Sequence, residues 1–188
     1  MSQRSLRVAV VALCLAVVAP LVSAFPATAA TGHFTGTTAN GRWVVDVPQH
    51  FNGTLLLWSH GYTFTPVGAA DAPSAATRQA LLSEGFALAG SSYANGGAGW
   101  AVNQGVRAGV ELISIAKGKA GNGRVDRVYA WGNSLGGLIT ETLAQRHPSL
   151  VSGVAPLCGV LAGTNRNLDL ALDVAVAVKA LFYPKLKL

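Results

Sequence analysis

Two short stretches hold residue types that could do covalent chemistry. The first is Gly132-Asn133-Ser134-Leu135-Gly136-Gly137, a complete G-x-S-x-G. A strand pattern, Val125–Trp131, precedes it and a helix pattern, Leu135–His147, follows it, which is the context this motif demands of a nucleophile. A serine on a sharp strand-to-helix turn sits in a strained backbone conformation with neighbouring chain close by. Side chains two residues before and after it would collide there, which accounts for Gly132 and Gly136. Such a turn lifts the Ser134 hydroxyl above a sheet and places it at a helix N-terminus, whose first N–H groups can stabilise a developing oxyanion. The second stretch is His60-Gly61-Tyr62, directly after the apolar strand pattern Thr54–Ser59. Open α/β sheets bind ligands outside the carboxyl ends of their strands. The loop and the Ser134 turn are therefore expected to face one crevice.

On these residues the sequence resembles the α/β-hydrolase fold family, and within it the secreted bacterial serine hydrolases of esterase type with a Gly-X oxyanion loop. The resemblance spans about Gly32 to Leu188. It implies an acyl-enzyme on Ser134, an oxyanion held by the N–H groups of Tyr62 and Leu135, and a His60 that braces its loop rather than serving as base. Gly61, Gly132 and Gly136 support the two turns. The implied substrate is a small-molecule or polymer carboxylic ester, with no cofactor; a peptidase or amidase of the same fold is an alternative. The aromatic residues Tyr62, Phe64 and Trp100 line an acyl or aryl pocket or pack as an ordinary rim.

The family's triad runs Ser, then Asp or Glu, then His, and here the pattern is only partly met. His147 is the one histidine after Ser134. It lies at the far end of the intervening helix, about 18 Å along the axis at 1.5 Å per residue, well outside hydrogen-bond reach of about 3 Å. It reads as a C-terminal helix residue near the last carbonyls. Asp169 and Asp173 follow the strand pattern Val151–Leu157, where some family members place their acid. Both also fall on a helical stretch, Leu168–Phe182, with Asp169 in a first turn that suits a carboxylate. The expectation is a C-terminally truncated hydrolase in which about 163–188 begins a cap. The alternative is a catalytically incompetent, hydrolase-like protein without triad acid and His.

The elements that must position these residues are legible from periodicity. Asn40-Gly41 separates His33–Thr38 from Arg42–Val47, and Asn52-Gly53 precedes Thr54–Ser59, so two hairpins are expected at the start. Helix and strand then alternate: helix Ser74–Ser83 ended by Gly85, strand Phe86–Ser92, a Gly-rich loop Asn95–Gly99, helix Ala101–Lys117, strand Arg124–Trp131, then the Leu135 helix stopped by Pro148. In that helix Leu135, Leu138, Ile139, Thr142 and Leu143 share one face. The pattern predicts an α/β fold: a mostly parallel sheet with antiparallel N-terminal strands and helices on both faces, incomplete at the C-terminus.

Residues 1–29 read as a secretory leader. Arg4 and Arg7 precede a twelve-residue apolar run, Val8–Ala19, and Ala27-Thr28-Ala29 has the small-x-small pattern of a cleavage site, with Val22-Ser23-Ala24 as a second. The run is shorter than the roughly 20 residues a membrane span needs. Export and a secreted, extracellular location are expected, with no membrane anchor after cleavage. Residues 30–188 then form one domain.

Of 188 residues 51% are hydrophobic and 12% charged, against about 25% charged in a typical soluble domain; this excludes an intrinsically disordered chain. Removing the leader takes two of 14 basic residues and none of eight acidic ones, so the net charge falls from +6 to +4. Those charges form no cluster, which argues against a nucleic-acid partner. A dinucleotide site fails for want of G-x-G-x-x-G after the first strand. His33, His50, His60 and His147 are scattered, so no metal is expected. Beyond the leader Cys158 stands alone, either as a small buried hydrophobe or as a thiol whose partner is missing.

Overall fold

The described chain begins with two strands, β1 (Gly32–Thr38) and β2 (Gly41–Val47), paired antiparallel with Thr38 opposite Gly41. The computed structural model describes residues 31–188, and the expected leader lies outside them. The turn residues are Ala39 and Asn40, one position earlier than expected. Gly41 (φ 117) belongs to β2, where its α-carbon lies against the carbonyl of Tyr93 and leaves no room for a side chain.

The second Asn-Gly makes no hairpin. β4 (Ala87–Ser91) lies between β2 and β3 (Thr54–Ser59), antiparallel to the first and parallel to the second. Asn52 is tied to the segment entering β4: its backbone N–H donates to Gly85 O at 2.9 Å and its side-chain amide to Glu84 O at 2.9 Å. Its Oδ1 meanwhile accepts from Thr54 N at 2.9 Å. The turn chemistry is present, but it joins segments distant in sequence.

β5 (Arg127–Asn133) and β6 (Gly153–Leu157) complete a six-stranded sheet in the order β1-β2-β4-β3-β5-β6, parallel from β4 onward. β5 starts three residues later than expected, because Asp126 N and Arg127 N first turn back to Gly53 O. It ends at Asn133, two residues later than expected, and so runs straight into Ser134.

Among the described residues four α-helices accompany the sheet: α1 (Ala75–Ser83), α2 (Val102–Ala120), α3 (Leu135–Arg146) and α4 (Thr164–Leu181). The pairing register sets Val45, Ala89, Leu57 and Ala130 side by side on one face. Leu112 and Ile113 of α2 and Leu135, Ile139 and Leu143 of α3 are buried in the same core. The other face carries Asp46, Leu88, Leu56 and Tyr129, and α1 reaches it through Arg78, which contacts Asp46. The fold is thus α/β, mostly parallel with antiparallel N-terminal strands and helices on both faces, as the sequence pattern predicts.

α4 departs from expectation at its start. It begins at Thr164 rather than Leu168, with Gly163 (φ 94) preceding it and Asn167 donating from both backbone and side chain to Gly163 O. Asp169 consequently lies beyond the first turn, so the helix-dipole reason for its position does not hold. No side chain of α4 is buried. Among the described residues no helix is long and apolar enough to cross a membrane.

Candidate active site

Ser134 stands between β5 and α3 at φ 51, ψ −118, a conformation an L-residue holds only when its surroundings impose it. Three backbone bonds impose it. Ser134 N donates to Leu157 O of β6 at 2.9 Å, and Ser134 O accepts from Gly137 N at 3.0 Å and Leu138 N at 3.3 Å.

The two glycines of the turn are required by the end of β3. A Cβ on Gly132 would lie 2.6 Å from Ser59 O and 2.7 Å from Gly136 C. One on Gly136 would strike Ser59 O directly and lie 2.9 Å from His60 O. The elbow and the β3 loop are therefore packed backbone against backbone.

The same packing brings the two sequence stretches together. A Cβ on Gly61 would meet Asn133 O at 3.2 Å and Ser134 Cβ at 3.5 Å. Tyr62, the next residue, is exposed and its amide donates no backbone hydrogen bond among the described residues. Leu135 is buried, and as the first residue of α3 its N–H has no acceptor within the helix. Tyr62 and Leu135 thus follow directly on Gly61 and Ser134, which the packing brings together, and neither amide has a hydrogen-bond acceptor among the described residues.

The ring of His60 is turned toward β4 rather than toward Ser134. It stacks on Tyr93 with centroids 4.0 Å apart, and its Nδ1 donates to Gly61 O at 2.8 Å. Nε2 is buried without a partner. Burial pushes the His60 pKa below its ordinary value, against the opposing pull of the Gly61 and Ser92 carbonyls, and favours the neutral ring. Tyr93 was not among the sequence candidates. It is buried at φ 57 and its hydroxyl donates to His60 O at 3.0 Å, fixing the root of the loop. Burial raises its phenol well above the usual range. Its place at the carboxyl end of β4 was the available sign.

Tyr62, Phe64 and Trp100 do meet. Tyr62 packs edge-on to Phe64 at 5.1 Å and lies 6.4 Å from Trp100. Phe64 is 90% exposed, so the three make an open aromatic cluster rather than a closed pocket.

The remaining candidates are not brought to Ser134. His147 caps the far end of α3, where its N–H donates to Leu143 O at 2.8 Å. Asp169 and Asp173 are exposed on α4 and line a surface hollow with Ala162, Arg166, Asn167 and Leu170. No side-chain hydrogen bond joins Ser134 to a histidine or carboxylate among the described residues. Cys158 is free and exposed at φ 48, so the buried-thiol expectation is overturned; it follows β6, an edge strand, and no described residue buries it. No group of three or more His, Cys, Asp or Glu suited to a metal ion occurs among the described residues.

No protein-family model matches the chain, and no curated protein matches it. Solved structures do. The chain is similar to an acetyl xylan esterase from Aspergillus awamori (18% identity over 66% of this chain and 53% of that one, TM-score 0.44). It is similar to a proline iminopeptidase from Mycobacterium smegmatis (19% identity, 82% and 58%, TM-score 0.47). It is also similar to a rice-cell-wall-degrading esterase from Xanthomonas oryzae (18% identity, 68% and 41%, TM-score 0.45). The chain spans between 41% and 58% of the length of these structures.

Proposed function

We propose that this chain carries the nucleophile and oxyanion side of a serine hydrolase acting on carboxylic esters. Ser134 Oγ attacks the ester carbonyl, and the Tyr62 and Leu135 amides hold the oxyanion. The C–O bond breaks, the alcohol leaves with the proton that Ser134 gives up, and water then releases the acid and returns a proton to Ser134 Oγ. The reaction needs no cofactor. The N-terminal leader pattern makes an exported enzyme the proposed setting.

One observation carries the reading. A serine is kept at φ 51, between two glycines that only close backbone packing requires. Backbone strain of this kind costs about 1–3 kcal/mol, and a glycine would hold the same turn without it. A serine retained there is explained by its hydroxyl.

A second observation favours the runner-up. Ester hydrolysis by serine needs a base, and no histidine is placed at Ser134 among the described residues. Such a serine is shaped for attack but unpowered, as in a hydrolase-like protein without turnover. An amide or peptide substrate is the further alternative within the same chemistry.

Labelling the folded chain with a fluorophosphonate, with Ser134→Ala as control, tests the proposal. The expected result is labelling that vanishes in the variant. A chain that is folded by circular dichroism yet unlabelled would replace the enzyme reading with the runner-up.

A further inference from the structure

Away from Ser134, on the face of the sheet that α1 approaches, two carboxyl groups are buried together. Asp46 of β2 is 3% exposed and Asp71, in the loop between β3 and α1, is 4% exposed. Arg78 of α1 bridges them: Nη2 lies 2.7 Å and Nε 3.0 Å from Asp46 Oδ2, and Nε lies 3.4 Å from Asp71 Oδ2. His33 of β1 takes the other Asp46 oxygen, Nδ1 to Oδ1 at 2.8 Å. β4 brings no titratable side chain to the pair.

Two carboxyl groups buried against one half-exposed guanidinium, with His33 reaching only Asp46, are disfavoured when both are ionised, which favours a proton on Asp71. Burial, then the hydrogen bond and charge of Asp46, push Asp71 up to about 7 against the pull of Arg78. Burial also pushes Asp46 upward, but hydrogen bonds from Asp71, Arg78 and His33 together hold it below its ordinary value.

Asp71 stands on no helix or strand. It lies near the end of the loop that begins His60-Gly61-Tyr62 and leads into α1 at Ala75. The loop is pinned along its length: Thr63 O accepts from Gly99 N at 2.9 Å, Val67 N donates to Gly96 O at 3.0 Å, and Ala70 O presses on the α-carbon of Gly90. The carboxyl pair is its last anchor before the helix.

We propose that Asp46, Asp71 and Arg78 form a one-proton latch that holds the loop carrying Tyr62 against the sheet, closed while Asp71 is protonated and loosened when it ionises. The latch stands on its own geometry; its consequence for catalysis rests on the esterase reading, in which Tyr62 supplies an oxyanion donor. The three side chains are positioning residues, since none of them reaches Ser134.

Hydrogen–deuterium exchange of the amides of residues 61–73 in the full chain, corrected for the intrinsic pH dependence of exchange, is the test. Protection is expected to fall as pH rises through about 7, and by up to about tenfold one unit beyond, where the protonated fraction is about a tenth. In Asp71→Asn the side-chain amide donates to Asp46 at every pH, so the step disappears and protection stays high. In Asp46→Asn burial still raises the remaining carboxyl, but the hydrogen bond and charge of Asp46 are gone and Arg78 faces it alone, so the step moves below 7. Should Asp71→Asn fail to fold, the wild-type profile and Asp46→Asn still decide. Flat protection in the wild type, or a step that stays near 7 in the variants, overturns the latch. The labelling experiment separates the two claims: labelling without the step removes only the latch, and the step without labelling removes only the catalytic role of the loop it holds.

Discussion

Ser134 and its flanking glycines show how far single residues can be read. Gly136 has Ser59 O and His60 O where a methyl group would go, and both are backbone atoms that cannot swing aside. Gly136→Ala is expected to cost about 3 kcal/mol or more, at the top of the range for overpacking, measured as a drop in the urea midpoint. Ser134→Gly should act in the opposite sense. It removes the strain of φ 51 at the smaller cost of a more flexible unfolded chain, so unfolding free energy should rise by about 1 kcal/mol while fluorophosphonate labelling is lost. A serine that gained nothing in stability on this change would not be strained, and the argument from the elbow would fail. Residues that act through distant partners were illegible by comparison. Tyr93 bonds His60 across 33 positions and Arg78 bonds Asp46 across 32, and no local pattern marks either pairing.

Among elements, α3 was legible in full because its apolar period and its stop at Pro148 are both local. Its packing against α2 was not. Gly105 of α2 leaves room for Ile139, whose Cδ1 would lie 2.6 Å from an added Cβ. Here the obstacle is a side chain rather than backbone, but a buried, β-branched one whose Cγ1 and Cγ2 would also lie 3.1 Å away and whose χ1 is stiff in a helix, while alanine gains about 1 kcal/mol of helix propensity over glycine. Gly105→Ala should therefore cost about 1–2 kcal/mol net of that gain, less than Gly136→Ala. Leu143→Ala, on the buried face of the same helix, should cost about 2–5 kcal/mol. Both are read from chemical denaturation. The hairpin expected at Asn52-Gly53 failed for an element-level reason: six residues, Pro48–Gly53, separate β2 from β3, enough to let β4 enter between them.

For the whole molecule, the buried carboxyl pair sets a direction for stability against pH. Asp71 is raised to about 7, so its contribution is full below its unfolded value, declines as pH rises toward the folded one and is lost above it. Asp46 is lowered, so its contribution is present above the usual carboxylate range and lost as pH falls through its folded value. The two together favour mildly acidic conditions. Urea midpoints taken from pH 4 to pH 8 should fall toward neutrality, and Asp71→Asn should flatten that fall. An unchanged slope in the variant would place its origin elsewhere in the molecule.

The sequence by itself determined what short-range sterics decide: an elbow that needs glycine on both sides of Ser134, a first hairpin, the helices and their apolar faces, and an alternation that makes the sheet mostly parallel. Backbone geometry at that range depends on a few neighbouring residues, so it is written in them. Tertiary structure alone decided which strand lies beside which, that Cys158 is exposed, that His60 turns to Tyr93, and that Asp46, Asp71 and Arg78 share one buried site. Those outcomes depend on strand pairing between distant segments, and on the loss of water that makes a charge pair's protonation a property of its surroundings rather than of its residue type.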